Sequence, residues 1–145
     1  MVMIVWGVSL RQAMAEHVPA PLRPLLVMHL APVALFGTVS ALMGWVQVAT
    51  LAVVVGGLGF ALVAMTSRWV LATGFSQLWG ALTFPIAAYA GLCWTLYDLA
   101  PSEMLRIYAG LILIVATFVV IPITFLVQRD WARGRLAVKT NAAIA

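Results

Sequence analysis

Four apolar stretches that are almost free of charge constrain the fold of this chain more than any other feature. They cover residues 25–46, 48–67, 75–97 and 103–128. Each reaches the roughly 20 residues that a helix needs to cross a bilayer. The chain has 145 residues, of which 65% are hydrophobic and 8% charged, whereas about 25% are charged in soluble domains. We therefore predict an all-α integral membrane protein with about four full transmembrane helices in one domain, residues 1–145.

The first ten residues are apolar but too short to cross a membrane. At about 1.5 Å per residue they cover half of a bilayer. They have neither the initial positive charge nor the small-residue cleavage site of a signal peptide. Residues 1–10 are therefore predicted to be a partial helix, which suggests a fragment, a split gene or a misplaced start codon. At the other end, residues 129–145 are predicted to form a cytoplasmic tail.

The basic residues are distributed unevenly between the two sides of the predicted bundle. If the four spans alternate in direction, only Arg106 falls on one side. The other side receives Arg11, Arg23, Arg68, Arg129, Arg133, Arg135 and Lys139. This bias predicts a cytoplasmic C-terminus. It also explains the net charge of +4 without nucleic-acid binding.

Two prolines interrupt the first and third spans at equivalent places. Pro32 and Pro85 are 53 residues apart, and the residues that follow them superpose under the same shift. Proline lacks a backbone donor and crowds the carbonyl four residues earlier, so each span should bend there. We predict two helical hairpins with Pro-kinked inner helices. Such interrupted hairpins recur in transport paths, because the freed backbone groups must face protein or a water-filled cavity.

The third predicted span carries one large ring among small residues. On the helical face of Phe84 the neighbours are Gly80, Ala87, Ala88 and Gly91. A ring in this position either obstructs a lumen or packs into the groove of a neighbouring helix, since small residues are common at helix contacts in membranes. The residues alone leave both interpretations open.

Catalytic chemistry is not predicted. The apolar interiors of the spans contain no Asp, Glu or Lys, and we find no metal-ligand spacing and no nucleotide-binding loop. We expect no enzyme, no cofactor and no metal. A lipid-directed enzyme would need a polar constellation at an interface, and the pair Glu16 and His17 is better interpreted as part of a loop.

A path through these spans would be neutral. Small side chains and the backbone freed at Pro32 and Pro85 would line it, and basic residues would surround its mouth. Such a path favours anions or uncharged solutes over cations. His29 lies about 7 Å into its helix at roughly 1.5 Å per residue, where it either contacts headgroups or acts as a titratable anion attractor.

Two segments suggest a family. Residues 25–32 (LLVMHLAP) and 79–85 (WGALTFP) resemble the tellurite-resistance/dicarboxylate transporter family, which includes yeast malic acid permeases and plant slow anion channels. The likeness covers only the C-terminal half of that family. It implies that the spans here are the seventh to tenth of ten around a pore, in a bacterial inner membrane, within a trimer.

The resemblance also implies roles for individual residues. Thr83, Phe84 and Pro85 match an element whose Phe occludes the family's pore, which makes Phe84 the gate. Pro32 falls on the kink of an inner helix, and Thr83 and Gly80 become secondary lining residues. The predicted function is transport of small anions of the tellurite, C4-dicarboxylate or inorganic class. The partners would be the lipid bilayer and either a missing N-terminal half or further copies of the chain. The alternative is a truncated remnant or a helper subunit that does not transport.

Overall fold

The computed structural model describes residues 18–72 and 74–134, and it places helices and turns there. The helices, in chain order, are a 3₁₀ helix at Ala20–His29, α1 at Leu30–Leu42, α2 at Val46–Met65, the short α3 at Ser67–Val70, a 3₁₀ turn at Gln77–Trp79, α4 at Gly80–Leu99 and α5 at Glu103–Ala132. The predicted partial helix at 1–10 lies outside the described residues, as do residues 135–145 of the predicted tail.

Three of the helices within the described residues are long and apolar enough to cross a membrane. They are Ala20–Leu42, which is the 3₁₀ helix continued by α1, Val46–Met65, which is α2, and Glu103–Ala132, which is α5. This supports an all-helical membrane protein, with three candidate spans where the sequence predicts about four. The third predicted span corresponds to α4, which is as long as α2 at 20 residues. It is less apolar because it carries Thr83, Pro85, Tyr89 and Thr95.

The first span is interrupted by a change of helix type. Pro21 and Pro24 lack backbone donors, and the Leu22 amide donates to the Pro19 carbonyl at 2.9 Å, an i to i−3 bond of the 3₁₀ type. The α-helical geometry begins only at Leu30. Pro32 therefore lies in the first turn of α1, where a missing N–H leaves no bond unmade. The size of any bend there, and at Pro85 inside α4, stays a prediction.

Helix α4 is the central helix of the bundle. It packs against α1, α2, α5 and the 3₁₀ helix at Ala20–His29, while α1 pairs with α2 as a first hairpin and α4 with α5 as a second. Its inward side carries the larger residues Leu82, Pro85, Ile86, Tyr89, Leu92, Cys93 and Leu96, all buried. The hydrophobic core of the described residues is therefore built around this one helix.

Glycines allow the helices to approach α4 closely. A Cβ atom added at Gly56 of α2 would lie 2.5 Å from the Tyr89 ring. One added at Gly37 of α1 would lie 2.6 Å from the Ala52 Cβ and 2.7 Å from a Leu92 methyl group. Small residues at such contacts bring backbones together and strengthen van der Waals packing in membranes.

Polar contacts define one end of the bundle. The Arg23 guanidinium lies 4.3 Å from the centroid of the Trp69 ring and donates to the Trp69 carbonyl at 3.3 Å. The Gln77 amide donates to the Asp130 carboxylate at 3.3 Å. We call this the basic end, and its described arginines are Arg23, Arg68, Arg129 and Arg133. At the opposite end, exposed Glu103 and Arg106 form an ion pair at 2.6 Å.

Candidate functional site

One face of α4 is left uncovered by the other helices. Gly80, Phe84, Ala87 and Gly91 are spaced four, three and four residues apart, so they share one side of the helix. Phe84 is 56% exposed, Ala87 and Gly91 are exposed and Gly80 is half-buried. A Cβ atom at Gly80 or Gly91 would meet no atom within 4 Å. We call these four residues the α4 stripe.

The α4 stripe differs from the exposed surface of α5. There the exposed residues are large and apolar, as at Met104, Phe118 and Phe125. Large apolar side chains of this kind are typical of helix surfaces that contact lipid tails. Small residues in membrane helices instead indicate a surface that another helix or molecule approaches closely. The α4 stripe therefore has the shape of a contact surface, with Phe84 as its only large side chain.

The residues next to Phe84 are directed elsewhere. Thr83 is half-buried, and its hydroxyl donates to the Gly80 carbonyl at 2.7 Å, on its own helix. Pro85 is fully buried in the core. Ala88 is half-buried and packs against the core. The structure thus groups Phe84 with Gly80 on one surface and turns Pro85 away from it.

Pro32 and His29 lie on the first span rather than on α4. His29 is the last residue of the 3₁₀ helix and is half-buried, and its Nδ1 donates to the Leu26 carbonyl at 3.0 Å. Pro32 is half-buried in the first turn of α1. Both the 3₁₀ helix and α1 pack against α4, so His29 and Pro32 lie on the segments next to the helix that carries the stripe.

The α4 stripe is electrically neutral. The sequence has no charged residue between Gly80 and Tyr97, and the described arginines lie at the helix ends. In residues 18–72 and 74–134 no three His, Cys, Asp or Glu side chains lie close enough to hold a metal ion. The surface can therefore act on a solute through shape and backbone dipoles rather than through a charged or metal-bound group.

The opposite side of α4 leaves no space for a path. Tyr89, Leu92 and Cys93 have no exposed surface, and the neighbouring helices pack against them. A path past Phe84 would therefore run along the outside of the described bundle. Its second wall would have to come from outside residues 18–72 and 74–134.

A buried hydrogen-bond network joins three helices, and sequence reasoning did not identify it. The Tyr89 hydroxyl donates to the Val53 carbonyl at 2.7 Å and lies 2.7 Å from the Tyr108 hydroxyl. A Cβ atom at Gly57 would lie 3.0 Å and 2.9 Å from these two hydroxyls. The adjacent glycines Gly56 and Gly57 inside an apolar run were the sequence signal for this close approach.

Comparison of the chain with protein-family models, with curated proteins and with solved structures gave no match. The family suggested by residues 25–32 and 79–85 therefore stays a prediction.

Proposed function

We propose that this chain forms one wall of a membrane path for small anions, with Phe84 as the obstruction. The solutes would belong to the tellurite, C4-dicarboxylate or inorganic anion class. The observation that carries the proposal is the α4 stripe, a neutral, small-residue surface on the central helix with a single exposed ring.

The position of the stripe supports a role other than contact with lipid. Helix α4 is surrounded on its other sides by α1, α2 and α5, so it is the helix best protected from the bilayer. Its uncovered face nevertheless consists of two glycines, an alanine and Phe84. Small residues give a solute access to the helix backbone, and a ring among them narrows whatever space they line.

The charges of the chain favour anions for such a path. The stripe carries no acidic residue, and exposed arginines surround the basic end at Arg68, Arg129 and Arg133. A neutral constriction behind a positive mouth raises the local concentration of anions and lowers that of cations. The path is completed by the N-terminal half that the family resemblance implies or by further copies of the chain.

Replacement of the ring tests this function. We expect Phe84→Ala to raise chloride or nitrate flux into vesicles by about tenfold, the effect of lowering a barrier by about 1.4 kcal/mol. Potassium flux should not change. The matched control is Phe118→Ala, because Phe118 is 75% exposed on α5 and lies far from the stripe in the sequence.

Two results would contradict the proposal. One is an unchanged anion flux in Phe84→Ala, measured in an assembly in which the unmodified chain transports the anion. The other is an equal rise in Phe118→Ala, which would mean that loss of any exposed ring makes the bilayer leak.

A second function is favoured by the same small residues. A helper subunit that does not transport would use the α4 stripe to pack against a helix of a larger partner, as glycines and alanines do at helix contacts in membranes. In that case Phe84 would fill a groove on the partner. Its replacement would weaken the complex without producing flux.

A further inference from the structure

Helix α5 is longer than the apolar part of a bilayer. Its 30 residues extend roughly 45 Å at about 1.5 Å per residue. The hydrocarbon core of a bilayer is about 30 Å thick, and the headgroups bring the total to about 40–45 Å. Both ends of α5 therefore reach the level of the headgroups when the helix crosses the membrane.

The two ends of α5 carry different charges. At the first turns Glu103 neutralises Arg106 through their ion pair. In the last turn Arg129 is exposed, and exposed Arg133 directly follows the helix, four residues later and so on the same side. The sequence continues with Arg135 and Lys139, so four cations follow one another within eleven residues.

The acidic residue among these turns is directed inward. Asp130 is 2% exposed, and its carboxylate accepts a hydrogen bond from Gln77. Its neighbour Trp131 is 71% exposed, which suits an amphipathic ring at the headgroup level. This end of α5 therefore presents Arg129 and Arg133 on one side and the indole, two residues from each, on another side, while the carboxylate is buried.

The face that carries the arginines is apolar nearer the membrane centre. Phe118, Pro122 and Phe125 precede Arg129 on the same side of the helix and are exposed. From Phe118 to Arg129 the helix rises roughly 16 Å at about 1.5 Å per residue, which is half of the hydrocarbon thickness. The surface thus combines two guanidinium groups with an apolar strip as deep as one leaflet.

We propose that this face of α5 binds an anionic phospholipid. Arg129 and Arg133 bind the phosphate of the headgroup, and the acyl chains lie along Phe125 and Phe118. Guanidinium groups match phosphate oxygens in charge and geometry, and clusters of four or more cations next to a membrane helix select anionic lipids. The apolar strip favours a phospholipid over a soluble phosphate. This proposal does not depend on transport.

Quenching of tryptophan fluorescence by brominated lipids tests the proposal on the full chain. Vesicles contain equal parts of phosphatidylglycerol and phosphatidylcholine, with bromine on the chains of one or the other. The reporter is the Phe125→Trp variant, whose new indole lies on the same face as Arg129, and its signal is obtained by subtracting that of the unmodified chain. We expect brominated phosphatidylglycerol to quench this indole more strongly than brominated phosphatidylcholine does, and high salt to reduce this preference.

The arginine variants determine which residues carry the preference. Arg129→Gln with Arg133→Gln should reduce the preference for phosphatidylglycerol by about fivefold per arginine. The two corresponding Lys variants should retain part of it, because they keep the charge but not the planar fork. Arg106→Gln at the opposite end of α5 is the matched control and should change nothing.

Some outcomes would overturn the proposal. One is equal quenching of the Phe125→Trp indole by the two lipids when the arginines are unchanged. Another is a loss of preference in Arg106→Gln as large as that in the double Gln variant. If the double Gln variant lowers the helix content but does not alter the lipid preference, the arginines serve only to stabilise the end of the helix, and the proposal fails.

Discussion

The buried Tyr89 of α4 makes hydrogen bonds to residues of both α2 and α5. It has no exposed surface, its ring stacks on Phe60 with centroids 6.0 Å apart, and Gly56 leaves space for that ring. Its hydroxyl has a single hydrogen, which is donated to the Val53 carbonyl. In the contact between the two hydroxyls, Tyr108 must therefore be the donor. The carbonyl and the two hydroxyls join α2, α4 and α5 at one point.

Because of this chain of hydrogen bonds, removal of the Tyr89 hydroxyl and removal of the Tyr108 hydroxyl should lower the free energy of unfolding by different amounts. Tyr89→Phe removes both bonds and leaves the Tyr108 hydroxyl without its acceptor, so we expect a loss of about 1–2 kcal/mol in the free energy of unfolding. Tyr108→Phe leaves the bond from Tyr89 to Val53 intact and should lose about 0.6 kcal/mol. Unfolding in mixed detergent micelles measures both, with Tyr97→Phe as the control. Equal losses in the two variants would contradict the proposed direction of donation.

At the scale of residues, sequence reasoning identified surfaces better than interiors. It predicted that Phe84 shares a face with Gly80, Ala87, Ala88 and Gly91. In the structure Ala87 and Gly91 are exposed with Phe84 and Gly80 is half-buried, but Ala88 packs against the core. Tryptophans near the ends of membrane spans commonly lie at the interface with water. Trp45, Trp69 and Trp131 are exposed, but Trp79 and Trp94 pack against the core. Periodicity gives the side of a helix on which a residue lies, whereas burial depends on which helix packs there.

At the scale of helices, a helix lies at each of the four predicted spans, three of which are candidate membrane spans, and the helix ends differ from the predicted ones. The span predicted at 103–128 continues to Ala132, where Gly134 follows at a φ of 66°, and charged residues in its last turns misled the prediction. The span predicted at 25–46 ends at Leu42, before Gly44 at a φ of 76°. Both glycines adopt the left-handed conformation that ends helices. Hydropathy alone does not detect that signal.

Two glycine substitutions on α2, which packs against α4, should change the free energy of unfolding in opposite directions. A Cβ atom at Gly56 would lie 2.5 Å from the Tyr89 ring, whereas one at Gly59 would meet a Leu30 methyl group at an ordinary 3.5 Å. Gly59→Ala should raise the free energy of unfolding by about 0.5–1 kcal/mol through helix propensity. Gly56→Ala should lower it by about 1–3 kcal/mol, because the core would be overpacked.

The same detergent titration compares these two variants on one helix. Each replaces a glycine with alanine, so the difference between them reports the contact with Tyr89 rather than the backbone. Stabilisation by both substitutions would mean that α2 and α4 are not as close as the structure has them.

At the scale of the whole molecule, the sequence predicted two hairpins and the separation of charge between their ends, because alternation of spans and the positions of arginines are enough for both. It predicted the third span, α4, to be the inner helix of its hairpin, but it did not predict that the small-residue face of α4 would remain uncovered by the described helices. That outcome depends on how the hairpins pack, and glycine contacts such as Gly37 against Leu92 decide it. The side of the membrane on which the basic end lies stays a prediction.

A substitution on the α4 stripe tests whether the stripe lines a lumen or packs against another helix. Gly91 is exposed, and a Cβ atom there would meet no atom within 4 Å, so we expect Gly91→Leu to leave the bundle stable. If the α4 stripe lines a path, the leucine narrows it, and we expect anion flux to fall by about tenfold with the assembly intact. Light scattering in mild detergent gives the mass of the assembly, and Gly110→Leu on α5 is the control. Dissociation of the assembly by Gly91→Leu would instead identify the stripe as a contact between helices, and Phe84 would then be a packing residue rather than a gate.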